Sequence, residues 1–263
     1  MENRGVEFNI DVNAVDKQNF SWNAGFNITY NKNEITNLTI VPNDPNYRGF
    51  PGGGISGGAG GQSAQINAVG SAKNTFNLYQ QVYDQAGRPL EGVFVDQNKD
   101  GIINEFDRVK SKSADPQVFL GFTTNVTYKR FNAGLVLRAN LGNYVYNNNY
   151  SGTGTLNHIT GSAVLYNPSR HYLETQFVGS DGNQMLSDYY LQNGSFLKMD
   201  NLNFGYDAGS IFNSKARLQL NATVQNVFVI TNYSGLDPEV SNGIDNSLYP
   251  RPRTFSFGLN LSY

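Results

Sequence analysis

Cysteine is absent from the 263 residues, which removes disulfides, thiolate metal centres and cysteine nucleophiles at the outset. Histidine occurs only twice and tryptophan once. Charge is sparse too: 15% of residues are Asp, Glu, Lys or Arg, and a net charge of −2 leaves no basic footprint for nucleic acid. No run approaches the roughly 20 apolar residues of a membrane-spanning helix. A mean hydropathy of −0.44 still admits a membrane β-barrel, because every second residue of a barrel strand faces a wet lumen. Met1 leads almost at once into a strand pattern without signal-peptide character. A secreted or membrane protein would therefore be represented here by a piece of a longer chain. Aromatics, by contrast, are plentiful: 16 Tyr and 17 Phe suit interfacial girdles.

What is present is strict alternation. In 253–263, Phe255, Phe257, Leu259, Leu261 and Tyr263 fall on one face, and Thr254, Ser256, Gly258, Asn260 and Ser262 on the other. Tilted by about 40°, about eleven residues rise roughly 28 Å, which matches the apolar band of an outer-membrane barrel, about 25 Å tall. Alone, this strand fits a membrane barrel and a soluble β-protein equally. The same period marks strands at 6–12, 20–30, 120–128, 131–141, 195–206 and 216–228.

The connections between these strands alternate in length. Those at 13–19, 129–130 and 207–215 are short, whereas 32–117, 142–194 and 229–252 are long. Long connections gathered at one end fit a barrel with short periplasmic turns and long outer loops better than a sandwich. Phe20, Trp22, Tyr128, Phe131, Tyr206 and Tyr263 fall at the short-turn ends, which predicts an aromatic belt. The expected fold is all-β: an antiparallel transmembrane β-barrel segment. The first long connection should be irregular apart from a local hairpin around 76–83.

One strand fits badly. Leu202, Phe204 and Tyr206 set a lipid-facing phase that would also send Lys198 and Asp200 into hydrocarbon. A charge at mid-depth costs on the order of 2–4 kcal/mol, so a bulge near Asp200 is expected, turning Leu197 and Met199 outward. Seven strands cannot close a barrel, and open edges in lipid are not tolerated. More strands should lie on the N-terminal side.

The segments Asn193-Gly-Ser-Phe-Leu-Lys-Met-Asp-Asn-Leu-Asn-Phe-Gly-Tyr206, Gln225-Asn-Val-Phe228, Gly235-Leu-Asp-Pro-Glu239 and Pro250-Arg-Pro-Arg-Thr-Phe-Ser-Phe-Gly258, with the terminal aromatic strand, resemble the SusC/RagA family of TonB-linked outer-membrane transporters of Bacteroidetes. Gly5-Val-Glu7 and the strand pair after it extend the likeness over essentially the whole chain. The resemblance implies a plugged barrel of about 22 strands, of which residues 1–263 would be the last seven. It implies import of oligosaccharides or peptides with a SusD-like surface lipoprotein, in contact with outer-membrane lipid. Coupling to the TonB complex would run through an N-terminal plug that this segment lacks.

Within 32–117, Asp96-Gln-Asn98-Lys-Asp100-Gly101-Ile102-Ile-Asn104-Glu-Phe-Asp107 has the spacing of an EF-hand-type calcium loop, with Gly at position six for the sharp turn. Calcium, a hard cation, takes about 6–8 oxygens. Asp96, Asn98, Asp100, the Ile102 carbonyl and Asp107 are candidate ligands, with Asn104 acting directly or through water. Asp at position twelve in place of Glu resembles dockerin-type loops. The alternative is a polar turn without metal, and in either case the segment would stiffen an outer loop and not catalyse.

Gly54-Ile-Ser56-Gly-Gly58 fits the letters of a nucleophile elbow but lacks its strand, helix and histidine base, so a flexible loop is expected. His158 and His171 read as solvated loop histidines. Tyr144, Tyr146, Tyr150, Tyr189 and Tyr190 could stack on sugars, contact the lipoprotein, or pack within loops. The polar faces of the strands, mostly uncharged amides and hydroxyls with Arg138 among them, suit hydrogen bonding to a plug or passing sugars. Two other classes fit less well: a soluble calcium-dependent β-sandwich binding or adhesion module, and a secreted hydrolase using Ser56 or an acidic pair.

Overall fold

The seven alternating segments pair in chain order into one antiparallel sheet: β1 Glu2–Lys17, β2 Phe20–Glu34, β3 Val118–Tyr128, β4 Phe131–Leu141, β5 Phe196–Ile211, β6 Ala216–Thr231 and β7 Thr254–Ser262. The computed structural model describes residues 1–41, 44, 47–55, 62–160, 167–179, 182–212, 215–246 and 248–263. Several strands outrun their sequence limits. β1 and β2 extend to Glu2 and Glu34 at one end, and β1 runs on to Lys17 at the other, which shortens the first turn to 18–19. β5 continues past Tyr206 across a second bulge at Asp207/Gly209, so its link to β6 is 212–215 and not 207–215.

One row of paired residues crosses the whole sheet: Asp11, Gly25, Thr123, Val136, Asn201, Gln225 and Thr254. From that row β1 reaches far toward the long loops, to Glu2, whereas β7 begins on the row itself. At the turn end the order reverses: β7 runs on to Ser262 while β1 stops at Lys17. A tilt near 40° and a strand spacing of about 4.8 Å give a stagger of about 1.2 residues per strand. The observed stagger runs in one direction across the sheet and is of this order. This is the shear of a barrel wall.

Among the described residues neither edge of the sheet is paired, and its apolar face is bare. Phe257 and Leu259 are 84% and 79% exposed, Phe204 51% and Phe8 54%. Among the described residues no second layer covers this face, which removes the sandwich. Near the turn end, Phe20, Tyr128, Phe131 and Tyr206 stand side by side in one pairing row. Phe131 and Tyr206 stack at 4.7 Å, and Phe20 meets Tyr128 edge-on at 6.4 Å. The expected bulge is present. β4 pairs Val136 with Asn201 and Leu137 with Met199, leaving Asp200 as the extra residue. Leu197 is 39% exposed while Lys198 is 5% exposed, so the phase change keeps the lysine out of lipid.

The apolar core lies outside the wall. Ile55, Phe76, Leu78, Tyr79, Phe94, Tyr146, Leu186, Tyr190 and Ile244 form one cluster drawn from all three long connections. A four-stranded sheet of Phe50–Ile55, Gln62–Asn67, Thr75–Tyr79 and Arg108–Ser113 supports it. Leu191–Asn193, Tyr144–Asn147 and Ile244–Asp245 form a second sheet that ties two connections together. The long connections are thus one packed cap, contrary to the irregular loops expected. The hairpin expected around 76–83 is also replaced: Thr75–Tyr79 pairs with Gln62–Asn67 and Arg108–Ser113, and Gln81–Tyr83 pairs with Pro89–Phe94. Among the described residues no helix is long and apolar enough to cross a membrane.

Candidate functional site

The inner face of the wall is built from asparagines laid across glycines. Asn27 is paired with Gly121, Asn125 and Asn203 flank Gly134, and Asn132 and Asn221 flank Gly205. A Cβ on Gly134 would stand 2.3 Å from Asn125 Oδ1 and 2.7 Å from Asn203 Oδ1. The missing side chain lets the carboxamides lie against the sheet. The result is a low, uncharged lattice of donors and acceptors, able to hydrogen-bond a large polar surface or a passing polar solute.

Toward the cap, this neutral wall carries a charged clasp. Arg138 of β4 donates to Asp200 at 2.5 Å through Nε and grips Glu239 with both terminal nitrogens, at 2.5 and 2.8 Å. Lys198 of β5 donates to Glu239 at 3.2 Å, and Arg251 pairs with both Glu239 and Asp237. The third long connection, which supplies Asp237, Glu239 and Arg251, is thereby pinned to the wall. Burial pushes the Glu239 carboxyl up, but the hydrogen bonds and charge of Arg138, helped by Lys198 and Arg251, outweigh it and hold the pKa at about 2. Bidentate pairing with desolvated partners is the strong form of this interaction. The clasp residues were not predicted as a unit. The available signal was the pair of strand charges, Lys198 and Asp200, which needed partners.

The calcium-spaced loop is organised by its own amides. Asp96 accepts from the Lys99 and Gly101 amides at 2.6 and 2.8 Å, and Asp100 accepts from the Ile102 amide and the Asn98 carboxamide, both at 2.8 Å. Asp107 is fully buried and accepts from the amides of Gln97, Asn98 and Asn104 at 2.9, 3.4 and 2.9 Å. The Asn104 amide bond, followed by burial acting in the opposite sense and then the Gln97 and Asn98 bonds, leaves the Asp107 pKa lowered. Asn104 and Asp107 form a reciprocal cap on the short helix Glu105–Asp107. Gly101, at φ 83°, makes the sharp turn. Asn98 and Asp100 are thus bonded to each other, and Asp96 lies beside Asp107, whose oxygens also take backbone amides. Among the described residues no three His, Cys, Asp or Glu side chains converge as a metal cluster.

The aromatic candidates divide. Tyr146 and Tyr190 are buried in the cap core, where they meet edge-on at 6.1 Å, so neither is available to a sugar. His171 is not the solvated histidine expected: it is 6% exposed, stacked on Tyr150 at 4.4 Å and on Tyr189 at 5.3 Å. Burial lowers its pKa, against the opposing pull of Glu174, whose carboxylate lies 3.1 Å from Nδ1. Aromatic neighbours far away in sequence exclude water from it, and nothing local signals that. Ser56, Gly57 and Gly58 of the Gly-rich motif lie outside the described residues.

Comparisons with known proteins agree with this geometry. No protein-family model matches. The TonB-dependent receptor SusC of Bacteroides thetaiotaomicron is 38% identical over all of this chain, and a TonB-dependent receptor of Formosa agariphila is 28% identical, again over all of it. The chain spans 26% and 29% of those two relatives. Among solved structures, the RagAB peptide importer in its open-open state matches 99% of the chain and 28% of its own, at 18% identity and a TM-score of 0.73. A further structure, the RagAB peptide transporter, gives 0.70. These likenesses fix the fold as a barrel-wall segment.

Proposed function

We propose, from the premise that this chain is homologous over its whole length to SusC and other TonB-dependent receptors, that it is the closing part of the wall of an outer-membrane nutrient importer. Its cargo is an oligosaccharide or a peptide. The observation that carries this reading is the sheared sheet with a bare apolar outer face, a polar inner face and all long connections packed into one cap. The remaining strands and the plug that couples to the TonB complex belong to the rest of the protein, because the two open edges require partners. The clasp holds the third long connection against the inner wall near the mouth, where a SusD-like lipoprotein would close over the cap. The segment binds and conducts; it does no covalent chemistry.

The test is uptake by cells carrying the complete transporter. Deleting β5–β7 should abolish heat-modifiable migration and uptake of the labelled cargo together. Uptake that survives the deletion would contradict the assignment.

Calcium at 96–107 is a separate proposal, supported by the φ of Gly101, by the Asn98–Asp100 bond and by Asp96 lying beside Asp107. Asp96, Asn98, Asp100, the Ile102 carbonyl and Asp107 would hold the ion, with Asn104 at the rim. Terbium luminescence that is competed by calcium and lost in Asp96→Asn/Asp100→Asn is the expected result. A signal unchanged by that variant would refute it.

A further inference from the structure

In strand Arg108–Ser113, Arg108 and Lys110 share one face, and a register shift between Lys110 and Ser113 ends the alternation before Lys112. Arg108 lies over the ring of Tyr79 at 5.1 Å, and Lys112 lies 5.1 Å from the ring of Tyr144. Arg48, from the same connection, lies over Phe106 at 4.4 Å. Aromatic faces hold these cations in place without neutralising them. None of the ion pairs among the described residues uses Arg48, Arg108, Lys110 or Lys112. The Nε of Arg108 is buried and has no hydrogen-bond partner among the described residues.

Arg48, Arg108 and Lys110 line one cavity of about 490 Å³, together with Tyr47, Gln65 and Asn77. The same lining holds two carboxylates, Asp44 and Glu105, against these three cations, so it carries a positive excess. An anion entering the cavity would pair with Arg48 and Arg108, which their aromatic neighbours hold in place, at little ordering cost.

We propose that this cavity binds an anionic oligosaccharide, its carboxylate or sulfate groups meeting Arg108 and Lys110 and its hydroxyls meeting Asn77, Gln65 and the Tyr47 ring. Alternate strand residues lie about 6.8 Å apart, so Arg108 and Lys110 can engage successive charges along an oligomer. Amide and aromatic groups beside the cations favour a hydroxyl-rich ligand over an acidic peptide. The inference rests on the import reading and names the charge class of the cargo.

The complete transporter, purified in detergent, is titrated calorimetrically with a uronate tetrasaccharide, a sulfated tetrasaccharide, the neutral parent sugar and a tetraglutamate peptide. Binding of one of the two anionic sugars supports the proposal, and which of them binds identifies the group. The neutral parent should bind at least about tenfold more weakly. Affinity for the anionic sugar should fall as salt rises from about 50 to about 500 mM. Arg108→Gln/Lys110→Gln should cost at least about tenfold. Lys110→Gln alone, at an exposed side chain, should show a smaller loss if the double variant does not fold. The proposal is overturned if neither anionic sugar binds, if the neutral sugar or the peptide binds as tightly, or if the variants retain full affinity. Heat-modifiable migration and uptake of a neutral cargo, measured on the same preparations and cells, separate the two failures. If both persist, only this inference falls; if both are absent, the import reading falls.

Discussion

Single residues here act mainly by what they accept. Asp107 takes three backbone amides into one buried carboxylate, and Asp96 takes two more, so this loop keeps its shape through anions and not through apolar packing. Asp107→Ala removes the acceptor and leaves three donors facing protein. Amide exchange at Gln97, Asn98 and Asn104 should quicken by at least about tenfold, with the wall strands unaffected; unchanged exchange would contradict this role. The spacing of 96–107 was legible because calcium loops and amide-filled turns demand the same residues at the same positions. For that reason the sequence could not say which of the two is present. His171 illustrates the opposite limit. Its burial comes from Tyr150 and Tyr189, partners that only the folded cap brings together.

At the scale of elements, the wall strands were readable because each carries its own period, and the phase error at Lys198 and Asp200 exposed the bulge before any coordinates did. The cap strands were not readable. Phe50–Ile55 is half glycine, Gln81–Tyr83 has three residues, and Ile244–Asp245 has two, too short for a period to register. Their partners lie in other connections, so their order comes from the shared core. The clasp joins the two regions, and its pH dependence follows from Glu239. A carboxyl held at about 2 against an ordinary 4.5 contributes stability that is complete above about 4.5 and is lost as pH falls towards about 2. With partial exposure discounted, this is on the order of 2 kcal/mol. Hydrogen exchange across 232–253 should therefore be flat from about pH 8 to 5 after correction for intrinsic rates, then accelerate on acidification. Glu239→Gln should abolish the acid step. An acid step that survives in Glu239→Gln would assign it to other carboxylates.

For the molecule as a whole, apolar residues do two separate jobs. In the cap, Phe76, Leu78 and Tyr146 are removed from water by one another, as in any globular core. In the wall, none of the described residues buries Phe204, Leu259 and Phe257, and on the import reading hydrocarbon does. The account stands on that difference. It is tested most directly by nitroxide labels on cysteines placed in the complete transporter in bilayers, at Phe204, Leu220 and Leu259 on one face and Asn203, Asn221 and Asn260 on the other. The account predicts high oxygen and low nickel-chelate accessibility at the first three and the reverse at the second three, alternating residue by residue. Labels at Phe204, Leu220 and Leu259 that are shielded from oxygen, or that report no alternation, would contradict it.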